Sequence, residues 1–574
     1  MCIRRSAVFC LEAMSTTATS TSVRLLLSKS RFDLWVWIAL AIAILAFIPV
    51  ITLFKLSWAN NQEIWQHLLD TVFWIYVKNT LLLCMGVTLF TAFIGTGAAW
   101  LVTRFNFPLK SVFVWALLLP LAVPSYILAF VITDQLEYAG FVQKSLRAIF
   151  GWQTARDYWF PEIRSIQGAI AVLSLVLYPY VYLLARAAFV EQAAQLFEMS
   201  RCLGKSQTQS FFKVALPLAR PAIVVGVTLA LMETINEYGT VEFFAVPTLT
   251  AGIFDVWLNM SSLSAAAQIA LMLVSFSILL LGLERYSRNA GKFYKLTGQS
   301  PAMFAEPLKG AKAWTATLLC LLPISLGFIL PVTVLSNYAL RNLDSGFDQY
   351  LTNAWNSFSL AAMAALLTTA LGLLLAYGVR LSKSNKMRSI AEAATLGYAI
   401  PGAVLAVGIL YPLGLFDNAV DSLMKAWFNY PTGLLLTGTG GALVLAYSLR
   451  FIALSYRTLD ASLTKITPEM DDASRVLGSR SGKTLWRIHL PLIRPSLLTA
   501  MLLVFVDTMK ELPITLILRP FNFNTLSTQV WDLASLEQLE QSALAALTIL
   551  LAGILPVIIM SRNIGSSEQR PQGH

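Results

Sequence analysis

The chain has 574 residues, 57% of them hydrophobic and only 13% charged, with a mean hydropathy of +0.66. A soluble globular chain carries roughly twice that charged fraction, so the composition points to an integral membrane protein and excludes an ordinary soluble enzyme. Five cysteines and three histidines are scattered without paired spacing, which argues against a disulfide framework and against a Cys/His metal centre.

Residues 1–33 read as a basic, Ser/Thr-rich tail carrying Arg4, Arg5, Arg24, Lys29 and Arg31. No small-residue cleavage site follows the first apolar run, so that run is expected to be an uncleaved anchor, with Met14 a second candidate start. Twelve runs then approach the ~20 residues that cross a hydrocarbon core. They are 34–57, 76–103, 112–133, 168–189, 221–242, 265–285, 314–335, 355–379, 390–411, 439–457, 495–517 and 543–561. Helix is the expected element, because backbone groups in lipid must find their partners within the segment.

Lys and Arg gather in alternate loops, while 58–75 and 243–264 contain neither. The positive-inside rule then places both termini in the cytoplasm, in a multi-pass membrane protein. It also accounts for the net charge of +11 without a nucleic-acid partner.

The chain repeats itself. Asn79-Thr80 matches Asn356-Ser357 at an offset of 277 residues, as do Gly95 with Gly372, Trp100 with Tyr377 and Pro124 with Pro401. Beyond the outer loop between the third and fourth runs the offset becomes 274, where Glu233-Thr234-Ile-Asn-Glu237 matches Asp507-Thr508-Met-Lys-Glu511. The expected fold is therefore all-α, two six-helix repeats at 34–285 and 314–561, joined by a basic linker at 286–313 and closed by a tail at 562–574. An even number of spans returns the chain to its starting side, so the repeats run parallel about an axis along the membrane normal. No loop is long enough for a folded catalytic domain, so the chain is not expected to be an enzyme.

The most polar repeated element is a loop. Glu198-Met-Ser-Arg201-Cys-Leu-Gly204 precedes Leu216-Pro217-Leu-Ala-Arg220-Pro221, and Asp472-Ala-Ser-Arg475-Val-Leu-Gly478 precedes Leu490-Pro491-Leu-Ile-Arg494-Pro495. Each copy predicts a short helix closed by glycine, then prolines that break or start the next helix. A polar surface kept twice in so apolar a chain is expected to dock something outside the membrane. Gly478-Ser-Arg-Ser-Gly482-Lys483-Thr484 imitates a phosphate-binding loop, but three residues separate the glycines where four are needed, so no ATP site is assigned.

The second constellation is acidic. Glu233 and Glu237 are four apart and are expected on one helix face near mid-bilayer, with Asp507 and Glu511 in the same places of the second repeat. Glu242 is expected at the outer entrance. Carboxylates are hard oxygen ligands, so an acidic path favours a hard cation, with internal pairing, such as Lys510 on Asp507, as the competing structural reading.

The acid-x-x-Arg-x-Leu-Gly…Leu-Pro-Leu-x-Arg-Pro loop resembles the EAA motif of ABC importer permeases that work with a periplasmic substrate-binding protein. The resemblance implies that Glu198, Arg201, Gly204, Asp472, Arg475 and Gly478 contact two copies of an ABC ATPase subunit, which bind the ATP; this chain itself holds no cofactor and no resident metal. Met199-Ser200 and Ser474 depart from the motif's small residues. The segments Asn236-Glu237-Tyr238-Gly239-Thr240-Val241-Glu242, Lys510-Glu511-Leu512-Pro513 and Arg519-Pro520-Phe521-Asn522-Phe523-Asn524 are similar to the ferric-iron permeases that fuse both halves in one chain, which implies Fe3+ as cargo. Thiamine, polyamine and sulfate permeases share the architecture and stay open as alternatives. An ion-coupled secondary transporter is the rival from another class, and it has no need of the duplicated loop.

Overall fold

The computed structural model describes residues 34–191, 199–200, 202–290, 306–342, 347–382 and 384–568. Among the described residues, eleven helices are long and apolar enough to cross a membrane, or up to 12 spans when the one bent pair is counted as a span. In chain order they are α1 (Leu34–Leu56), α2 (Phe73–Arg104), the bent α3 (Lys110–Ala122 with Ser125–Phe150), α4 (Ile166–Val190), α5 (Gln207–Asn236) and α6 (Leu263–Leu280). The second half continues with α7 (Ala311–Arg341), α8 (Phe347–Ser382), α9 (Gly402–Phe428), α10 (Gly441–Leu463), α11 (Ser481–Met509) and α12 (Leu539–Ile558).

Two expected spans are interrupted. The run 112–133 turns through 93° between the two parts of α3. In the run 390–411, a helix over Asn385–Ala394 and a tight turn over Thr395–Ala399 end before α9. Both breaks fall at the matched prolines. Proline's ring forces the preceding residue out of the helical region, and Val123 (ψ 119°) and Ile400 (ψ 127°) are accordingly extended. Each proline then caps the next helix, Pro124 at the start of Ser125–Leu136 and Pro401 at the start of α9.

Lipid offers no hydrophobic force between helices, so they associate where small residues allow close approach. The matched glycines are such places. A Cβ on Gly95 would lie 2.7 Å from Val181 Cβ and 2.9 Å from Tyr178 O, and one on Gly372 would lie 2.7 Å from Ser455 Cβ and 3.0 Å from Tyr456 N. These glycines seat α2 on α4 and α8 on α10. Large apolar side chains on the outer faces, such as Phe54, Phe90, Phe93, Leu318 and Leu366, stay exposed, as a lipid-facing surface requires.

The first helix of each repeat packs into the other repeat. Ala39 and Ile42 of α1 share a core with Leu375, Ala376, Ile452 and Tyr456, and Trp35 meets the Tyr377 ring edge-on at 5.2 Å. Conversely, Ala313, Ala316 and Cys320 of α7 pack with Ala98, Leu117, Tyr178 and Ala185, and the Tyr338 hydroxyl donates to Asp134 Oδ2 at 2.7 Å. A repeat bounded by sequence at 34–285 or 314–561 is thus not a self-contained unit of packing.

The described end of the linker is anchored. Phe105–Asn106 and Glu306–Pro307 pair as two short parallel strands, Arg104 forms an ion pair with Glu306, and Gln207 Nε2 donates to Glu306 Oε2 at 2.7 Å.

Candidate functional site

Two sites emerge, one at the end of the bundle where α4 leads to α5 and α10 to α11, and one in its centre. At the first, Pro468–Val476 forms the expected short helix. Its first copy is described only in part, and Glu198 and Arg201 lie outside the described residues. The closing geometry is nevertheless the same in both. Gly204 (φ 79°) and Gly478 (φ 77°) adopt the left-handed conformation that favours glycine, because it brings a Cβ too close to the following carbonyl. Lys205 N donates to Ser200 O at 3.2 Å and Ser479 N to Ser474 O at 3.0 Å, the six-to-one bond of a Schellman cap.

Each short helix is tied to the span after it. Ser200 Oγ donates to Ser210 Oγ, and Ser474 Oγ pairs with Thr484 Oγ1, both at 2.7 Å and both buried. In the second copy Arg380 of α8 also grips Asp471, with Nη2 at 2.8 Å from Oδ2, and His489 Nε2 lies 2.7 Å from Asp471 Oδ1. Asp472 is exposed, and among the described residues its one ion pair is with Arg475, 3.4 Å away on the same helix. The acid named by the motif is thus free to meet an outside partner, and its neighbour Asp471 is the anchor.

The surface so presented is apolar as well as charged. Leu203 and Leu477, equivalent in the two copies, are 79% and 84% exposed, and Val476 is 87% exposed. The motif's leucines are therefore part of the outward surface, a role that sequence reasoning had left to the acid, arginine and glycine. Its prolines do not break the next helix. One wide turn precedes each pair, with Leu216 N reaching Phe211 O and Leu490 N reaching Leu485 O, and α5 and α11 then run through Pro221 and Pro495. A wide turn shifts the hydrogen-bond register and absorbs the donor that proline lacks. The segment that imitates a phosphate-binding loop is the turn between the short helix and α11, with Ser481–Thr484 already helical.

The central site is a cavity of about 120 Å³ between the halves. Val123, Pro124, Ser125 and Tyr126 of α3, Tyr180 of α4, and Glu233, Asn236 and Glu237 at the end of α5 wall one side. Tyr398, Arg450 of α10, and Asp507, Lys510 and Glu511 at the end of α11 wall the other. All four expected carboxylates meet here. Glu242 lies apart on the helix Gly239–Phe243 and is exposed.

The expectation that each acidic pair shares one helix face is corrected. α5 ends at Asn236 and α11 at Met509, so Glu233 and Asp507 sit in the last helical turn while Glu237 and Glu511 lie beyond the break. Glu237 is extended (ψ 122°), and its carboxylate accepts Thr240 N at 2.8 Å and the Ser125 hydroxyl at 2.5 Å. Glu511 accepts Ile514 N at 3.0 Å and Thr515 N at 3.3 Å, and Arg450 Nη1 lies 3.3 Å away. Each glutamate thus holds the amides that open the next short helix, which satisfies donors that helix cannot satisfy itself. Glu233 and Asp507 have lighter duties: Glu233 Oε1 accepts the Tyr398 hydroxyl at 3.0 Å, and Asp507 Oδ1 lies 2.9 Å from Lys510 Nζ. The internal pairing foreseen for Lys510 is present.

The returning segments are held the same way in both halves, which explains the remaining matched pair. Asn79 Nδ2 donates to Pro247 O at 2.9 Å and Asn356 Nδ2 to Asn524 O at 3.0 Å, while Leu249 N donates to Thr80 Oγ1 and Leu526 N to Ser357 Oγ.

Comparison with known proteins agrees with this duplicated architecture. The model of the family described as "Binding-protein-dependent transport system inner membrane component" matches residues 91–289 and again 368–570. A Fe(3+)-transport system permease protein, FbpB 2 of Haemophilus influenzae, is 26% identical over 491 residues, which cover 85% of this chain and 89% of that one. The ferric transport system permease protein FbpB of Actinobacillus pleuropneumoniae is 25% identical over 68% of this chain and 57% of its own length. A probable sulfate transport system permease protein, cysT of Chlorokybus atmophyticus, is 30% identical over 44% of this chain and 86% of its own.

Proposed function

Because this chain belongs to the binding-protein-dependent transport system inner membrane components, with the family's domain present twice, we propose that it forms the whole membrane pathway of an ATP-driven importer of ferric iron. A permease of this family works with an ATPase and with a substrate-binding protein, and it has no catalytic site of its own. The finer reading is one ATPase subunit on each of the two short helices, and a periplasmic protein that delivers Fe3+ to the opposite end. Both chain ends and both short helices are in the cytoplasm. The two halves that move against each other exchange their first helices, α1 moving with the second half and α7 with the first. ATP is held entirely by the partners.

The cavity between the halves, lined by Glu233, Glu237, Asp507 and Glu511 against Lys510 and Arg450, is the observation that carries the cargo class. Four carboxylates against two cations leave a net negative wall, which favours a cation and disfavours sulfate. A volume of about 120 Å³ corresponds to roughly four waters and is below the ~300 Å³ at which pockets for organic ligands begin, which disfavours thiamine and polyamines. The ferric transport relatives agree with that choice.

In mechanism, closure of the ATPases on ATP pushes the short helices of the two halves together. The wide turns after them join directly to α5 and α11, whose far ends carry the cavity's carboxylates, so displacement at the ATPase reaches the cavity along two rigid rods. The halves rock, opening the cavity outward; hydrolysis resets it inward. Each state is populated because its ligand stabilises it differentially. The test is uptake of labelled Fe3+, thiamine, spermidine and sulfate by a strain lacking this chain and by the complemented strain. Restored Fe3+ uptake alone is expected; restoration of another cargo in its place would refute the assignment.

A further inference from the structure

The two halves of the cavity wall are not electrostatic equals. In the second half each carboxylate has a cation of its own: Lys510 Nζ is 2.9 Å from Asp507 and Arg450 Nη1 is 3.3 Å from Glu511. By the repeat, the positions of those two cations in the first half are Asn236 and Val176. Among the described residues, Glu233 and Glu237 have only neutral donors within hydrogen-bond reach, the Tyr398 and Ser125 hydroxyls and Thr240 N, while Lys510, which also attracts Glu233 across the cavity, is paired with Asp507.

The difference is built into small residues as well. Ser125, which supplies a hydroxyl to Glu237, is matched in the second half by Gly402, where an added Cβ would strike the Arg450 guanidinium. Glycine there makes the room that lets arginine neutralise Glu511. The first half has a serine in place of that room.

A second observation points to a ligand on the same side. Asn236 is only 5% exposed, and neither its Oδ1 nor its Nδ2 has a partner among the described residues. The Tyr126 hydroxyl, on a residue 4% exposed, is likewise unpartnered. Both residues line the cavity beside Glu233 and Glu237. Buried polar atoms left unmatched by protein are rare, and a cluster of them beside two carboxylates that lack an ion-pair partner among the described residues is a set of hard oxygen donors awaiting a cation.

We propose that the cargo cation rests on the first half alone, between Glu233, Glu237, the Asn236 carbonyl and the Tyr126 hydroxyl, while the second half's wall is a self-neutralised support. This rests on the reading of the chain as a cation importer. The site is a weak one: among the described residues no three Asp, Glu, His or Cys side chains gather as a metal centre would require. A conduit needs that weakness, because a cation bound too tightly would not leave. The second half's cations keep a second ion from settling opposite the first, so one cation crosses per cycle.

Two readouts on the full chain separate this inference from the iron assignment: Fe3+ uptake by the assembled transporter in proteoliposomes, with ATPase rate as the assembly control, and binding of Tb3+, a hard trivalent probe, to the purified chain. Asn236→Lys copies the second half's own neutralisation onto the first. Its charge, a few ångströms from the cation, is expected to weaken Tb3+ binding and uptake on the order of 100-fold. Glu233→Gln, nearly isosteric, is expected to act in the same direction and guards against a folding defect in the first variant. The double variant Asp507→Asn/Lys510→Gln alters the opposite wall of the same cavity without changing its net charge, and it is expected to weaken Tb3+ binding at least about tenfold less than Glu233→Gln does. Unchanged Tb3+ binding in Asn236→Lys and Glu233→Gln would overturn the proposal, as would an equal loss in the double variant, which would make the site common to both halves. Tb3+ binding that depends on Asn236 and Glu233 in a chain that takes up no Fe3+ would uphold the site and reject iron as the cargo.

Discussion

The exposed leucines of the two short helices offer the sharpest test of how the motor attaches. Leu477 is 84% exposed and Leu203 79%, on helices otherwise pinned to α11 and α5 by buried hydroxyl pairs. Burying a leucine side chain contributes about 1.5–3 kcal/mol, so an exposure this large leaves roughly 2 kcal/mol to be recovered when a groove on the ATPase covers it. Leu477→Asp forfeits that and adds the desolvation of a carboxylate. The ATPase should then bind about 30-fold more weakly, at 1.36 kcal/mol per factor of ten, and on the order of 1000-fold more weakly in the double variant with Leu203→Asp if the two sites are independent. Folding should be untouched, since exposed substitutions stay within about 0.5 kcal/mol. The assay is co-purification and titration of the ATPase subunit onto the detergent-solubilised chain, with its melting temperature measured alongside. Parental ATPase affinity in a normally melting double variant would refute docking through these helices.

Other perturbations test the frame around the sites. Gly478→Asp has open space for its side chain but an unfavourable left-handed backbone; it is expected to lower stability by only about 1 kcal/mol while reducing transport-coupled ATPase activity severely, and parental coupling would count against the capped helix as a contact. Ser474→Ala removes the hydrogen bond to Thr484 and should cost about 1 kcal/mol, read as a lower melting temperature and a several-fold loss of coupling. Gly402→Ala should expel the Arg450 guanidinium and leave Glu511 buried without its cation, lowering stability by about 3–5 kcal/mol, with most of the loss recovered by adding Arg450→Met and Glu511→Gln. Gly95→Val should drive α2 from α4 and cost at least 1–3 kcal/mol, whereas Gly97→Ala, two residues along with nothing within 4 Å, should be neutral; equal melting temperatures for the two would contradict the close crossing.

Much of this protein was legible from sequence because its signals are local and doubled. Spans of apolar residues announce membrane helices whatever they pack against. The matched Asn79, Gly95 and Pro124 were visible as a repeat, and the structure turned each into a hydrogen bond, a close crossing and a helix break. The spacing of Gly204 and Gly478 was enough to foresee short helices closed by glycine, and the structure supplied the left-handed conformation of both. Less legible were the ends of helices. Four-residue spacing placed Glu233 and Glu237 on one face, but α5 stops between them, and the glutamate serves the next helix's amides.

Tertiary structure alone decided three things. It sent α1 and α7 into the opposite halves, which no apolar pattern announces, because lipid and a neighbouring helix are equally good solvents for a leucine. It chose Asp471 as the anchor of the second short helix and left Asp472 exposed, a choice made by where Arg380 of a distant span ends. And it paired the cations of the second half with Asp507 and Glu511, while among the described residues Glu233 and Glu237 are held by hydroxyl and amide donors and form no ion pair. Equivalent carboxylates look alike in a repeat; whether a charge is met depends on side chains far away in sequence, and burial makes that difference large.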